Sequence, residues 1–169
     1  TLALSNLLDV ETDITNNGDI TSSGSRIFIG GNWDNTSGTY TYFDGDSITF
    51  DGSSPSIVNG STDWDILTIN NSSGVTVSSG TQNIYNKLNI KSGALTTNGN
   101  VVLKSNASGT AFLDNIETGS VSGSLSVERF LGLSVQGWRE ITSPVQGTLL
   151  SDWQNDGVIF TGFPNSDFP

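Results

Sequence analysis

The residue types on which most enzymes depend are missing from this chain. Its 169 residues include no Cys and no His. Disulfides, thiol nucleophiles and thiolate metal sites are excluded, as are the usual general base near neutral pH and the commonest transition-metal ligand. What remains is carboxylate chemistry. The best acidic grouping is Asp44, Asp46 and Asp51, in Asp44-Gly45-Asp46-Ser47-Ile48-Thr49-Phe50-Asp51-Gly52. Hard oxygen ligands at i and i+2 in a glycine-containing loop suit Ca²⁺, but the spacing and terminal bidentate Glu of an EF-hand loop are lacking. Solvated corner carboxylates are the plainer reading. Asp63-Trp64-Asp65 places two acids on one strand face with nothing else converging. A glycosidase needs two carboxylates about 5–10 Å apart, one with a raised pKa. Acids stacked one coil apart, such as Asp44 and Asp65, are compatible with that spacing, but few long loops are available to wall a substrate cleft and the basic residues are scattered. No Gly-x-Ser-x-Gly elbow, phosphate loop or dinucleotide fingerprint occurs. The expectation is a protein that is not an enzyme, with no catalytic set, no metal ligand set and no cofactor.

Charge narrows the partners. Seventeen acids against six bases give a formal net charge of −11. Residues 1–65 hold ten of the acids and a single base, Arg26. Such a surface repels phosphate backbones and anionic membranes, so neither nucleic acid nor membrane insertion is expected. No apolar run approaches the roughly 20 residues of a membrane span. Ser, Thr, Asn and Gly fill 81 of the 169 positions, yet 34% of residues are apolar, including four Trp and eight Phe. That content argues against disorder. A Cys-free composition of this kind suits a secreted bacterial protein, placing it extracellularly or at the cell surface. Leu2, Leu4, Leu7 and Leu8 lack a basic leader and a cleavage site, and the chain opens at Thr1 without a Met. A processed or partial chain is therefore expected.

The elements that would position these residues are read from the repeats. Ile27, Ile48, Ile69 and Ile90 stand 21 residues apart, and Phe43, Trp64 and Tyr85 keep the same step. Asp44, Asp65 and Asn86 follow those aromatics. Within each period run short β-prone pieces such as Arg26-Ile27-Phe28-Ile29, Ser47-Ile48-Thr49-Phe50 and Val75-Thr76-Val77. Corner pairs separate them: Asn17-Gly18, Asp44-Gly45, Asp51-Gly52, Asn59-Gly60 and Asn98-Gly99. A sandwich needs only turns at intervals, whereas a solenoid needs a register, because like residues stack on like. The pattern predicts an all-β fold, a right-handed parallel β-helix of about 21 residues per coil over residues 1–118, with helix close to absent. Ile forms one inward ladder, and Phe43, Trp64 and Tyr85 an aromatic one. Asn70 and Asn89 stack as an amide ladder at a corner. Trp33, Tyr40 and Tyr42 lie on a more irregular segment and are the candidates for exposed, sugar-stacking rings. The period fades after about residue 105, and residues 119–169 are expected to form a smaller β-rich cap or the start of a following domain. Strand-like Ser124-Leu125-Ser126-Val127 and Gly157-Val158-Ile159-Phe160 lie there.

Several segments resemble a known kind of sequence. They are Gly31-Asn32-Trp33-Asp34-Asn35-Thr36-Ser37-Gly38, Ile48-Thr49-Phe50-Asp51-Gly52, Leu67-Thr68-Ile69-Asn70-Asn71-Ser72-Ser73-Gly74-Val75 and Gly93-Ala94-Leu95-Thr96-Thr97-Asn98-Gly99-Asn100. With the tail segments Val127-Glu128-Arg129-Phe130, Gly137-Trp138-Arg139-Glu140 and Thr142-Ser143-Pro144-Val145, they resemble the repetitive β-helix regions of large secreted proteins of Bacteroidetes. The resemblance implies export by the type nine secretion route, attachment at or release from the cell surface, and an adhesive or structural role. It implies no catalytic residues. Asp46-Ser47-Ile48 looks like an O-glycosylation acceptor of such proteins. The expected function is a non-catalytic extracellular solenoid, acting as a stalk, an adhesin segment or a fibre subunit. Its expected partners are copies of itself, as a homo-oligomer or filament, and surface glycans. A carbohydrate-binding module using exposed aromatics is the alternative, and a polysaccharide-degrading β-helix enzyme stands behind that.

Overall fold

A computed structural model describes residues 1–130 together with Leu149 and Ser151. The chain divides into two compact units, Thr1–Gly132 and Leu133–Pro169. The strands of the first unit are short, as a chain with a turn-forming residue every few positions requires. The first coil holds β1 (Leu2–Leu4), β2 (Leu7–Val10) and β3 (Ile14–Thr15); the second β4 (Asp19–Ser22), β5 (Arg26–Ile29) and β6 (Trp33–Asp34). The third holds β7 (Thr39–Thr41), β8 (Ser47–Phe50) and β9 (Ser56–Asn59). In the fourth and fifth the first corner is absorbed into one long strand, giving β10 (Thr62–Asn70) with β11 (Val75–Val77), then β12 (Gln82–Ser92) with β13 (Ala94–Thr96). The sixth holds β14 (Val101–Leu103), a hairpin of β15 (Ser105–Asn106) and β16 (Gly109–Thr110), then β17 (Phe112–Leu113) and β18 (Ser120–Ser122); β19 (Leu125–Val127) follows.

Apart from the antiparallel hairpin, every pairing among the described residues is parallel and joins a strand to its counterpart in the next coil. The result is a three-faced β-solenoid of about six turns, a stack of roughly 24 Å at ~4.8 Å per coil. Parallel strands buried on the inner side need continuous apolar ladders, and two run along the second face. One is Leu8, Ile27, Ile48, Leu67, Leu88 and Leu113. The other is Val10, Ile29, Phe50, Ile69 and Ile90.

These pairings correct the Ile register. Ile27 does pair with Ile48, and Ile69 with Ile90, at steps of 21. Ile48 pairs with Leu67, only 19 residues on, so Ile48 and Ile69 belong to different ladders. The coil averages about 20 residues, because corners tolerate gain or loss of a residue while an inward face does not. The amide ladder is also corrected: Asn70 is exposed opposite Ser92, and Asn89 donates from Nδ2 to Thr68 Oγ1 at 3.1 Å. A true amide stack lies elsewhere, where buried Asn16 donates to Asn35 Oδ1 at 2.8 Å.

Of the predicted corner glycines, Gly45, Gly60 and Gly99 adopt the left-handed conformation. Gly52 is needed for a different reason: a Cβ there would lie 1.9 Å from the carbonyl oxygen of Gly30 one coil below. Parallel pairing continues past Gly119, since β18 joins β13 and β19 joins β14. Apart from Leu149 and Ser151, residues from 131 onward lie outside the described residues, including Gly157-Val158-Ile159-Phe160, Trp138 and Trp153.

Candidate functional site

The aromatic residues sort differently from their spacing. Trp33, Tyr40 and Trp64 are all buried and form one cluster, with ring centroids 5.2–5.7 Å apart. Trp33 and Tyr40 are therefore core and cannot serve as a sugar platform. Each indole N–H is satisfied internally, Trp33 Nε1 donating to Thr62 Oγ1 and Trp64 Nε1 to Gln82 Oε1, both at 3.0 Å. The expected inward ladder of Phe43, Trp64 and Tyr85 does not exist: Phe43 is 50% exposed and Tyr85 is half-buried.

The cause is a bulge. Trp64 pairs with Ile84, and Ile66 pairs with Lys87, so Tyr85 and Asn86 together face the single residue Asp65. The extra residue re-aims the local side chains, and Tyr85 leaves the core. It stacks on Tyr42, with centroids 5.1 Å apart and planes at 27°. Tyr42 belongs to the third coil and Tyr85 to the fifth, so their backbones should stand about 9.6 Å apart at ~4.8 Å per coil. The rings lean toward each other over the intervening corner, which Asp65 occupies.

Below this pair runs a column of polar corner residues in register: Ser25, Asp46, Asp65 and Asn86. Asp46 is fully buried and accepts from the backbone N–H groups of Ser25 at 2.7 Å and Phe43 at 2.6 Å. Asp65 is buried and accepts from Gly45 N at 2.7 Å. Burial pushes the Asp65 carboxyl above its ordinary range, the Gly45 N–H and the Asn86 amide offset part of this, and Asp44 and Asp46 add to it. The candidate calcium grouping does not assemble: Asp46 is a backbone cap, while Asp44 and Asp51 are exposed. Among the described residues no group of three or more His, Cys, Asp or Glu gathers to hold a metal.

Tyr42, Asp44, Asp65, Tyr85 and Asn86 line an open groove of about 290 Å³, bordered also by Asn106, Ser108, Gly109 and Thr110 of the hairpin. Asn106 Oδ1 accepts from Ser108 N at 2.8 Å and Gly109 N at 3.2 Å, which holds the hairpin tip. On the other side of Tyr42 a wider hollow of about 620 Å³ is lined by Ser23, Gly24, Tyr42, Phe43 and Asp44. Both concavities are lined by Tyr42 and Asp44, so they adjoin at that corner and together make up a trough. Desolvation pushes the Tyr42 hydroxyl up to about 12, with Tyr85, Asp63, Asp65 and Asp44 adding to it. Burial likewise raises Tyr85, whose hydroxyl donates to Asp63 Oδ2 at 3.5 Å. The trough is thus aromatic, hydroxyl-rich and negative.

Of the residues singled out in sequence, Tyr42, Asp44 and Asp65 meet here, while Asp46 lies beneath and Asp51 apart. Tyr85, a core residue by its spacing, joins them. Its displacement has a sequence signal: Trp64 to Leu67 spans three residues, whereas the matching step from Ile84 to Leu88 spans four. No family model, no curated protein and no solved structure matches the chain.

Proposed function

We propose that this chain is a non-catalytic structural and adhesive solenoid of an extracellular or cell-surface protein. The observation that most supports this is the use made of the stacked carboxylates. A β-helix enzyme would need two of them free to reach substrate, and here Asp46 and Asp65 are each taken up by backbone N–H groups of the preceding coil or corner. They act as corner caps that satisfy donors a strand-to-strand bend leaves open. The resemblance to repeat regions of large secreted proteins of Bacteroidetes supports the location, with type nine export as its finer consequence. Self-association is supported by coils that repeat along one axis and whose end strands can add like strands. The carboxylate-rich outer faces and net charge of −11 suit a surface that stays hydrated and resists non-specific association.

The test has two arms. Antibody raised to the chain should label intact, non-permeabilised source cells or their culture medium, and signal confined to lysed cells overturns the location. The purified chain, incubated with a panel of plant, algal and bacterial polysaccharides, should release no new reducing ends or unsaturated products. Turnover on any of them overturns the non-catalytic reading. Negative-stain imaging of the same preparation reads self-association, filaments supporting the fibre role and dispersed particles counting against it.

A further inference from the structure

We propose that the trough at the Tyr42–Tyr85 corner binds a neutral glycan chain, one sugar ring in the 290 Å³ groove and the next against Phe43. This deepens the adhesive reading above and rests on it.

Three observations carry the proposal. The first is the aromatic pair itself. A bulge takes Tyr85 out of the core, and the ring then lies on Tyr42 at the surface instead of on another core residue. Amphipathic rings with one wet edge are the usual partners of sugar faces, which are apolar in the middle and polar at the rim. Phe43 extends the aromatic surface into the wider hollow, where its exposure otherwise leaves apolar area in water.

The second is the chemistry of the lining. The lining offers both donors and acceptors. The Tyr42 and Ser108 hydroxyls, the Asn106 amide and the Asp44 carboxylate are uncommitted or partly so. Tyr85, Thr110 and Asp65 already bond Asp63, Ser105 and the Gly45 N–H and keep only their remaining lone pairs. Asn106 spends its Oδ1 on the hairpin backbone, which leaves its NH₂ for outward bonds. Asp44 has no hydrogen-bond partner among the described residues and is exposed at the rim. A polyol both gives and accepts hydrogen bonds and satisfies such a lining. A cationic ligand, ammonium or quaternary, accepts no hydrogen bond and would leave the Tyr42 hydroxyl and the Asn106 amide donors unused. The two carboxylates repel uronates, sialic acids and sulfated sugars, so the ligand is uncharged.

The third is shape. The groove is at the small end of ligand sites, which run from ~300 to ~1,000 Å³, and this suits one ring. The hollow beyond Tyr42 shares two of its residues and adjoins it at that corner. A linear oligosaccharide laid across both meets Tyr85, Tyr42 and Phe43 in turn.

The experiment is calorimetric titration of the full 169-residue chain with cellohexaose, xylohexaose, mannohexaose and laminarihexaose. Trigalacturonate serves as the anionic probe and tetramethylammonium as the cationic one. Saturable binding of at least one neutral hexasaccharide is expected, with trigalacturonate at least tenfold weaker. Tyr85→Ala and Asn86→Ala should each weaken it tenfold or more, while Tyr85→Phe keeps most of the affinity and Phe112→Ala, at an exposed ring elsewhere, changes nothing. Far-ultraviolet circular dichroism confirms that each variant is folded, and the Tyr85→Phe comparison stands even where Tyr85→Ala unfolds. No binding of any neutral probe overturns the proposal, as does binding unchanged in Tyr85→Ala, or tetramethylammonium binding at these residues in place of sugar. Cleavage of a bound hexasaccharide, lost in Asp65→Asn, would leave the groove assigned and overturn the non-catalytic reading instead.

Discussion

Trp64 of the fourth coil donates its indole N–H to Gln82 Oε1 of the fifth at 3.0 Å, and Gln82 passes the bond on, its Nε2 donating to the Gly60 carbonyl at 2.8 Å. All of this is buried, with Trp64 at 0% and Gln82 at 1% exposure. A buried amide is tolerated inside an apolar stack only because both of its ends are used. Gln82→Leu fits the volume, strands the indole N–H and the Gly60 carbonyl, and also removes a longer bond of 3.4 Å to the Gly80 carbonyl. Each unsatisfied group costs about 1–3 kcal/mol. Chemical denaturation should show a loss in that range or up to twice it. The double variant Trp64→Phe/Gln82→Leu should lose less than the sum of the singles, since the indole donor is then absent.

Glycines in this chain separate into classes that substitution by Ala should rank. Gly93 combines φ of +76° with a Cβ position 1.8 Å from the Asn71 carbonyl oxygen. Backbone of the neighbouring coil cannot move aside without breaking the ladder, so Gly93→Ala should prevent stable folding or cost well beyond ~2 kcal/mol. Gly45 has φ of +90° but nothing within 4 Å of a new Cβ. Its Ala variant carries the left-handed strain alone, about 1–2 kcal/mol. Gly109 has neither constraint and should change little. Thermal melts of the three variants that reverse this order would show that corner crowding is not what sets glycine usage here.

Asp46 and Asp44 stand two residues apart and should behave oppositely. Asp46 is buried against two backbone N–H groups, whereas Asp44 is exposed and bonded to nothing among the described residues. Asp46→Ala leaves the Ser25 and Phe43 N–H groups unpaired, at about 1–3 kcal/mol each. Asp46→Asn keeps an acceptor oxygen and should recover part of that loss. Asp44→Asn should fall within about 0.5 kcal/mol of the parent, as surface changes do. Equal effects in urea titrations of Asp44→Asn and Asp46→Ala would contradict the capping role.

The repeat is legible in the sequence because an inward ladder demands like residues at a near-constant step, and the Ile27–Ile48 and Ile69–Ile90 pairs keep it. The step is not constant, however. Corners absorb single-residue changes at little cost, so Ile48 lies on Leu67 although the count points to Ile69. The same effect hides the candidate site. Trp64 and Tyr85 share a 21-residue spacing, but the step between their strands is 20, and the residue left over is the bulge that puts Tyr85 outside. Trp33 and Tyr40 read as exposed because their segment is irregular. Their burial comes from contact with Trp64 on a later coil, which no local pattern encodes.

Asp65 should make stability depend on pH in a direction opposite to that of most paired carboxylates. Burial raises its folded-state pKa, so the folded chain holds this proton more tightly than the unfolded one. Where the folded state binds more protons, stability falls as pH rises. The fall begins near the unfolded value, about 3.9, runs through the raised folded value, and is complete above it. Asp65→Asn keeps an oxygen for the Gly45 N–H and has no charge to bury. The variant should therefore be the more stable protein at neutral pH. Its advantage should shrink as pH is lowered through that window and vanish below about 3.9. Urea midpoints of parent and variant, taken in parallel from about pH 3 to 8, measure the difference, in which every other carboxylate cancels to first order. A difference that does not change with pH, or one that grows in acid, would mean that the buried charge of Asp65 is not what the substitution relieves.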